Sequence, residues 1–165
     1  MSPTGGNDFD SDRAGNFVRV MKENRRYRMW YVGQHRAHTG FWPTWYRSGY
    51  AESSDGIHFQ RVMLGLETFG GNSSTNILPD FPYVPFVAYD PANADPRRRH
   101  KVLRFPNTIM HGDYAKQGLL DPWSESYRGV LLTSWDGIHW TEHNAEMGFP
   151  GGRPGELIPQ SLFFD

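Results

Sequence analysis

Ser53-Ser54-Asp55-Gly56-Ile57-His58-Phe59 and Ser134-Trp135-Asp136-Gly137-Ile138-His139-Trp140 are two copies of one pattern, Ser-x-Asp-Gly-Ile-His followed by an aromatic residue. The second aspartate follows the first by 81 residues (136 − 55). Recurrence at this distance marks a structural unit used more than once. Asp-Gly between strand-like runs predicts a hairpin turn, because glycine accepts the positive φ that such turns need. Each copy therefore predicts the end of one strand and the start of the next.

Working outward from the first copy, residues 47–52 and 58–62 predict the strands on either side of the turn. The aromatic run Tyr27-Arg28-Met29-Trp30-Tyr31-Val32 predicts a strand before them, and residues 16–21 another, closed by the polar turn 22–25. The same order recurs around the second copy, with strands predicted at 85–89, 101–105, 128–133 and 139–142. Residues 161–165 look like the first strand of a third unit. The expected fold is all-β: a β-propeller fragment of two four-stranded antiparallel blades plus the first strand of a third. Blade 1 is expected at about residues 15–66, blade 2 at about 84–145 and the start of blade 3 at about 160–165. A β-sandwich with two coincidental turns is the competing architecture. No segment of useful length shows a helical period.

Composition agrees with many short strands and turns. The chain has 165 residues, 15% of them aromatic, with 18 glycines and 12 prolines. A net charge of −1 gives no electrostatic footprint for nucleic acid or an anionic membrane. The run Arg97-Arg98-Arg99-His100 is expected to be a solvated turn. The absence of cysteine excludes disulfide and thiolate chemistry and leaves the redox compartment open. No apolar stretch approaches the ~20 residues of a membrane helix. Residues 1–14 are polar, predict a flexible segment and lack the apolar core of a signal peptide, so localisation is cytoplasmic by default. His35 and His38 alone do not make a zinc site, and neither a metal nor another cofactor is expected.

The segments Arg26 to Tyr31, Gly49 to Phe59 and Leu64-Gly65-Leu66, with Tyr89-Asp90-Pro91 and Arg99-His100-Lys101 further on, resemble blade sequences of the five-bladed propeller glycosidases. These comprise glycoside hydrolase families 32, 43 and 68 and their relatives. The resemblance spans roughly residues 15 to 165 and bears more on fold than on activity. It implies that two blades are part of a larger ring, whose open edges are available for self-association. It also implies acid/base cleavage of a glycosidic bond, on a carbohydrate such as a fructoside or arabinoside.

In a four-stranded meander, the loops after the second and fourth strands lie at one end and the turns at the other. Asp55, Asp90 and Asp136 then belong to the turn end and serve turn geometry. Asp12, Asp80 and Glu156 each precede a first strand and lie about ten residues before the turn that ends it, at Lys22, Asp90 and Asp165. The resemblance implies the order base or nucleophile, stabilising aspartate and general acid for this trio. Such carboxylates are needed because one group donates a proton while another attacks or activates water. The Trp-Met-Asn-Asp-Pro-Asn-Gly motif of family 32 is absent. Gln34, Arg36, Trp42, Trp45 and Tyr46 in the first long loop, and His111, Asp113 and Trp123 in the second, are candidate sugar contacts. Aromatic rings pack on sugar C–H faces, and Gln or Arg bonds hydroxyls. Solvated loop acids and rings packed beneath their own loops are the structural alternatives. Three functions remain open: a glycoside hydrolase, a non-catalytic binding or assembly propeller, and an inactive truncated remnant.

Overall fold

The computed structural model describes residues 8–35, 46–79, 87–104 and 126–150. It forms two compact units, residues 1–85 and 86–165. Each holds one four-stranded antiparallel sheet whose strands neighbour one another in chain order. The all-β expectation holds: the described residues contain no α-helix, only a 3-10 turn at Pro96–Arg98. No helix among them is long and apolar enough to cross a membrane.

In the first unit, β1 is Arg13–Glu23, β2 Arg26–Gln34, β3 Tyr46–Ser53 and β4 Gln60–Arg61. The β1–β2 turn is only Asn24-Arg25, and Asn24 takes φ 56°, a region asparagine enters at small cost. β1 starts earlier than expected, and residues 8–12 before it are part of the fold: Phe9 and Asp10 are both buried. A register shift between Ala14 and Val18 bends β1.

Strand alternation sorts the side chains. Met29, Tyr31 and Gly33 share a face with Gly49 and Ala51, while Trp30 and Val32 share the other with Ser48 and Tyr50. On the second face, the directly opposed Trp30 and Tyr50 pack with ring centroids 5.6 Å apart, and both are fully buried. On the first face, Phe9 joins Met29, Tyr31, Ala51 and Ile77 in the core. Gly33 and Gly49 make room for it. A Cβ at Gly49 would lie 2.6 Å from Phe9 Cζ, and one at Gly33 2.5 Å from Asp10 Cβ.

The fourth strand position has two occupants. β4 pairs with Ala51 and Glu52. The chain then leaves the sheet and returns, with Ile77 opposite Gly49, Tyr50 N–H donating to Asn76 O and Leu78 N–H to Ser48 O. The excursion carries a tight turn, Phe69-Gly70-Gly71-Asn72, in which both glycines have positive φ. That turn places Phe69 edge-on to Phe9 and to His35.

In the second unit, β5 is Ala88–Tyr89, β6 His100–Arg104, β7 Ser126–Ser134 and β8 Thr141–Pro150. Asp90 closes the β5–β6 connection as a turn residue: it accepts from Lys101 Nζ at 2.6 Å and Asn93 Nδ2 at 3.1 Å, and its N–H donates to Arg99 O. Arg97 and Arg98 are exposed as expected, but His100 is fully buried at the head of β6 and belongs to the core. Residues 143–150, expected to be loop, extend β8. The strand expected at 161–165 lies outside the described residues.

The duplicated motif folds identically in both units. Six residues, 54–59 and 135–140, separate the strands, so the connection is wider than the two-residue hairpin expected from Asp-Gly. The strand after each turn starts two residues later than expected, because the histidine belongs to the turn. Asp55 Oδ1 accepts from Ser53 Oγ, Ile57 N–H and His58 N–H, each at 2.8 Å. Oδ2 lies 2.7 Å from His58 Nδ1, and Ser53 Oγ accepts from Asp55 N–H and Gly56 N–H. Ser134, Asp136, Gly137, Ile138 and His139 repeat every one of these bonds. Gly56 and Gly137 sit at φ 79° and 74°.

These bonds favour the ionised aspartates. The His58 ring, the His58 and Ile57 N–H groups and Ser53 hold the Asp55 carboxyl well below the usual carboxylate range. Partial burial pushes Asp136 upward, but its bonds to His139, Ile138 and Ser134 outweigh that, and its carboxyl too is lowered. A carboxyl lowered on folding contributes stability that is present above its unfolded pKa of ~3.9 and is lost as pH falls through the folded value. The His139→Ala variant should therefore lose less stability than the parent chain between pH 6 and pH 3 in urea titrations. A second expectation concerns the close approach of Phe9: Gly49→Ala should destabilise the first unit by about 1–3 kcal/mol, the range for an overpacked core, read from the urea midpoint.

Candidate functional site

The residues singled out for sugar chemistry fall largely outside the described part of the chain. Asp80, Glu156, Arg36, Trp42, Trp45, His111, Asp113 and Trp123 lie there, as does the side chain of Tyr46. Asp12 and Gln34 are described, and the fold brings them together. Asp12 N–H donates to Gln34 O at 3.1 Å, at the end of the sheet where β2 gives way to the long loop. Asp12 is exposed and Gln34 is buried. Within this unit Asp55 lies at the opposite end, beyond Ser53, which pairs with Tyr27 near the start of β2.

Two residues before Asp12, the chain places a carboxylate that the sequence reading passed over. Asp10 has no solvent exposure. Its Oδ2 accepts from Tyr31 Oη at 2.8 Å, from Arg61 Nε at 3.0 Å and from Arg61 Nη2 at 2.7 Å. Tyr31 Oη in turn accepts from Asn76 Nδ2 at 2.8 Å, and the same nitrogen donates to Tyr50 O at 2.8 Å. Five segments meet here: the N-terminal turn, β2, β3, β4 and the returning segment at 76–78. Burial, followed by the Asp10 charge, pushes the Tyr31 hydroxyl far above its ordinary pKa. Tyr31 is therefore a fixed neutral donor to Asp10.

The local reasons are visible. Strand alternation turns Tyr31 to the face on which Phe9 packs, with ring centroids 6.0 Å apart. Arg61 stands opposite Ala51 at the sheet edge, where its long side chain crosses beneath the N-terminal turn with 19% of its surface exposed. The signal available in the sequence was Phe9-Asp10, an aromatic residue beside an acid in an otherwise polar segment. Nothing in the spacing pointed to Arg61 or Asn76 as partners.

On the same face a cleft of about 350 Å³ is lined by Ala14, Gly15, Val18, Met29, Tyr31, Ile57 and Phe59. Among the described residues lining it, Tyr31 supplies the only polar side chain, so this lining suits apolar groups. Among the described residues no cluster of three or more His, Asp or Glu side chains could hold a metal ion. The chemistry of the Asp10 network is that of an anchor. Asp10 Oδ2 is committed to a guanidinium and a phenol from two other segments of the chain. What it does is hold the turn that presents Asp12.

No family model, no curated protein and no solved structure matches the chain.

Removing one partner of a buried ion pair strands the other charge. Arg61→Met should cost roughly 3–5 kcal/mol. The double variant Asp10→Asn, Arg61→Met should cost less than the sum of the singles, with urea unfolding giving the coupling.

Proposed function

We propose that the two sheets are successive blades of a carbohydrate-active β-propeller of the glycosidase kind. The observation that carries this reading is the duplication. Two sheets with strands in chain order close on the same Ser-Asp-His turn, bond for bond. Serial meanders of this kind build propellers. The proposed substrate end is the one bearing Asp12, Gln34 and Tyr46, the first residue of β3, with Arg36, Trp42 and Trp45 in the first loop and His111, Asp113 and Trp123 in the second.

In the hydrolytic form of the proposal, Glu156 gives a proton to the leaving glycosidic oxygen. Asp12 attacks the anomeric carbon or activates water, and Asp80 tunes their charge. The Asp10 network supports that assignment indirectly, since it ties down the turn that carries Asp12 into β1. A second reading, sugar binding without cleavage, is favoured by the same network. The Asp10 carboxylate is committed to Arg61 and Tyr31.

A panel of aryl fructosides and arabinosides, assayed for release of the chromophore and for binding by calorimetry, separates these readings. Hydrolysis that falls by roughly 10²–10⁴ in both Glu156→Gln and Asp12→Asn supports the enzyme, as expected for loss of acid/base groups. Binding without turnover selects the second reading. Neither binding nor turnover with any sugar overturns both.

A further inference from the structure

Asp-Gly is the dipeptide most prone to spontaneous rearrangement of the backbone. The Gly nitrogen attacks the Asp side-chain carbon Cγ, the N–Cγ bond forms, and the carboxyl oxygen leaves as water with the amide proton. The five-membered succinimide then takes up water. Opening at the Cγ carbonyl restores aspartate. Opening at the original main-chain carbonyl leaves the chain running through the side chain, as isoaspartate. The reaction needs a free carboxylic acid, a Gly nitrogen able to approach Cγ, and freedom about the Asp backbone.

The repeated turn denies all three. Gly56 N–H is committed to Ser53 Oγ at 2.9 Å and Gly137 N–H to Ser134 Oγ at 2.8 Å. Each aspartate has one oxygen held by two downstream backbone N–H groups and a serine hydroxyl, and the other against a histidine ring. These bonds pin the side chain to the N–H groups two and three residues ahead, while the Gly nitrogen that would attack is held by the serine. We propose that Asp55-Gly56 and Asp136-Gly137 are latent isoaspartate sites, kept silent by the Ser-Asp-His clasp and released when the clasp opens. The lowered carboxyls act in the same direction, because an ionised carboxylate has no OH to lose as water and is a poor electrophile at Cγ.

The two copies are not equally shielded. The side chains of Asp55 and His58 are 47% and 83% exposed, those of Asp136 and His139 14% and 61%. Local opening is easier where bonds are exposed to water, so Asp55 is the faster site. An isoaspartate there would lengthen the main chain by one bond within a turn whose bonds are all specified by atom.

The test is slow incubation of the whole chain at neutral pH and 37 °C, with isoaspartate at each site read by peptide mass spectrometry and by an isoaspartyl methyltransferase assay. The native chain is expected to convert several-fold more slowly than the chain in urea, and Asp55 before Asp136. His58→Ala and, separately, Ser53→Ala should accelerate Asp55 while leaving Asp136 as an internal control, with circular dichroism confirming that the sheets persist. Ser134→Ala should do the reverse. Equal rates in the folded and unfolded chain would overturn the proposal, as would folded His58→Ala and Ser53→Ala variants in which Asp55 converts no faster than in the parent.

Discussion

A buried carboxylate holds the first unit together. Asp10 would be costly to bury alone, because an isolated anion in a low-dielectric interior loses its hydration. Three bonds from Tyr31 and Arg61 offset that loss and in doing so bring separate pieces of chain to one point. The N-terminal turn cannot leave without exposing Phe9 and stranding Arg61. The returning strand at 76–78 cannot leave without removing Asn76 from the Tyr31 hydroxyl. Charge, hydrogen bonding and apolar packing thus specify one arrangement of the same residues, which is what consistency between levels means for a small sheet.

That arrangement depends on missing side chains as much as on present ones. Gly33 and Gly49 lie on the face where Phe9 and Tyr31 pack, and a methyl group on either would occupy their space. Glycine in a strand ordinarily weakens it. Here the loss is offset by the close approach of an aromatic ring and by the ion pair behind it. The composite edge follows the same logic. A two-residue β4 leaves most of the β3 edge facing away from β2 without a partner, and residues 76–78 supply it. The unit gains a covered edge and a core residue, Ile77, from a segment far along the chain.

The duplicated turn works differently. All its bonds join residues two or three apart, so it is assembled from local chemistry and needs no help from the core. Such a device can be placed in any sheet that needs to turn, and its recurrence in two separate units accords with that. It also explains why the aspartates at these positions are structural, at the end of the sheet opposite Asp12.

The turn, its glycines, the strand order and the all-β class were legible in the residues because each rests on interactions of short sequence separation or on period-two alternation. The identity of the connection was less so: Asp-Gly suggested a two-residue hairpin, whereas His58 and His139 lengthen the turn to six residues by bonding the aspartate. The N-terminal segment was misjudged because its polar composition masks Phe9 and Asp10, whose burial depends on partners elsewhere. Of the proposed sugar site, the meeting of Asp12 with Gln34 followed from meander topology. By itself, then, the sequence determined the repeating unit and its local turns. Only the tertiary structure decided that Asp10 is the anchor, since Arg61 lies 51 residues from it and Asn76 lies 45 from Tyr31. Pairings at such separations leave no periodic trace, because they are set by where the sheet brings the side chains and not by their spacing along the chain.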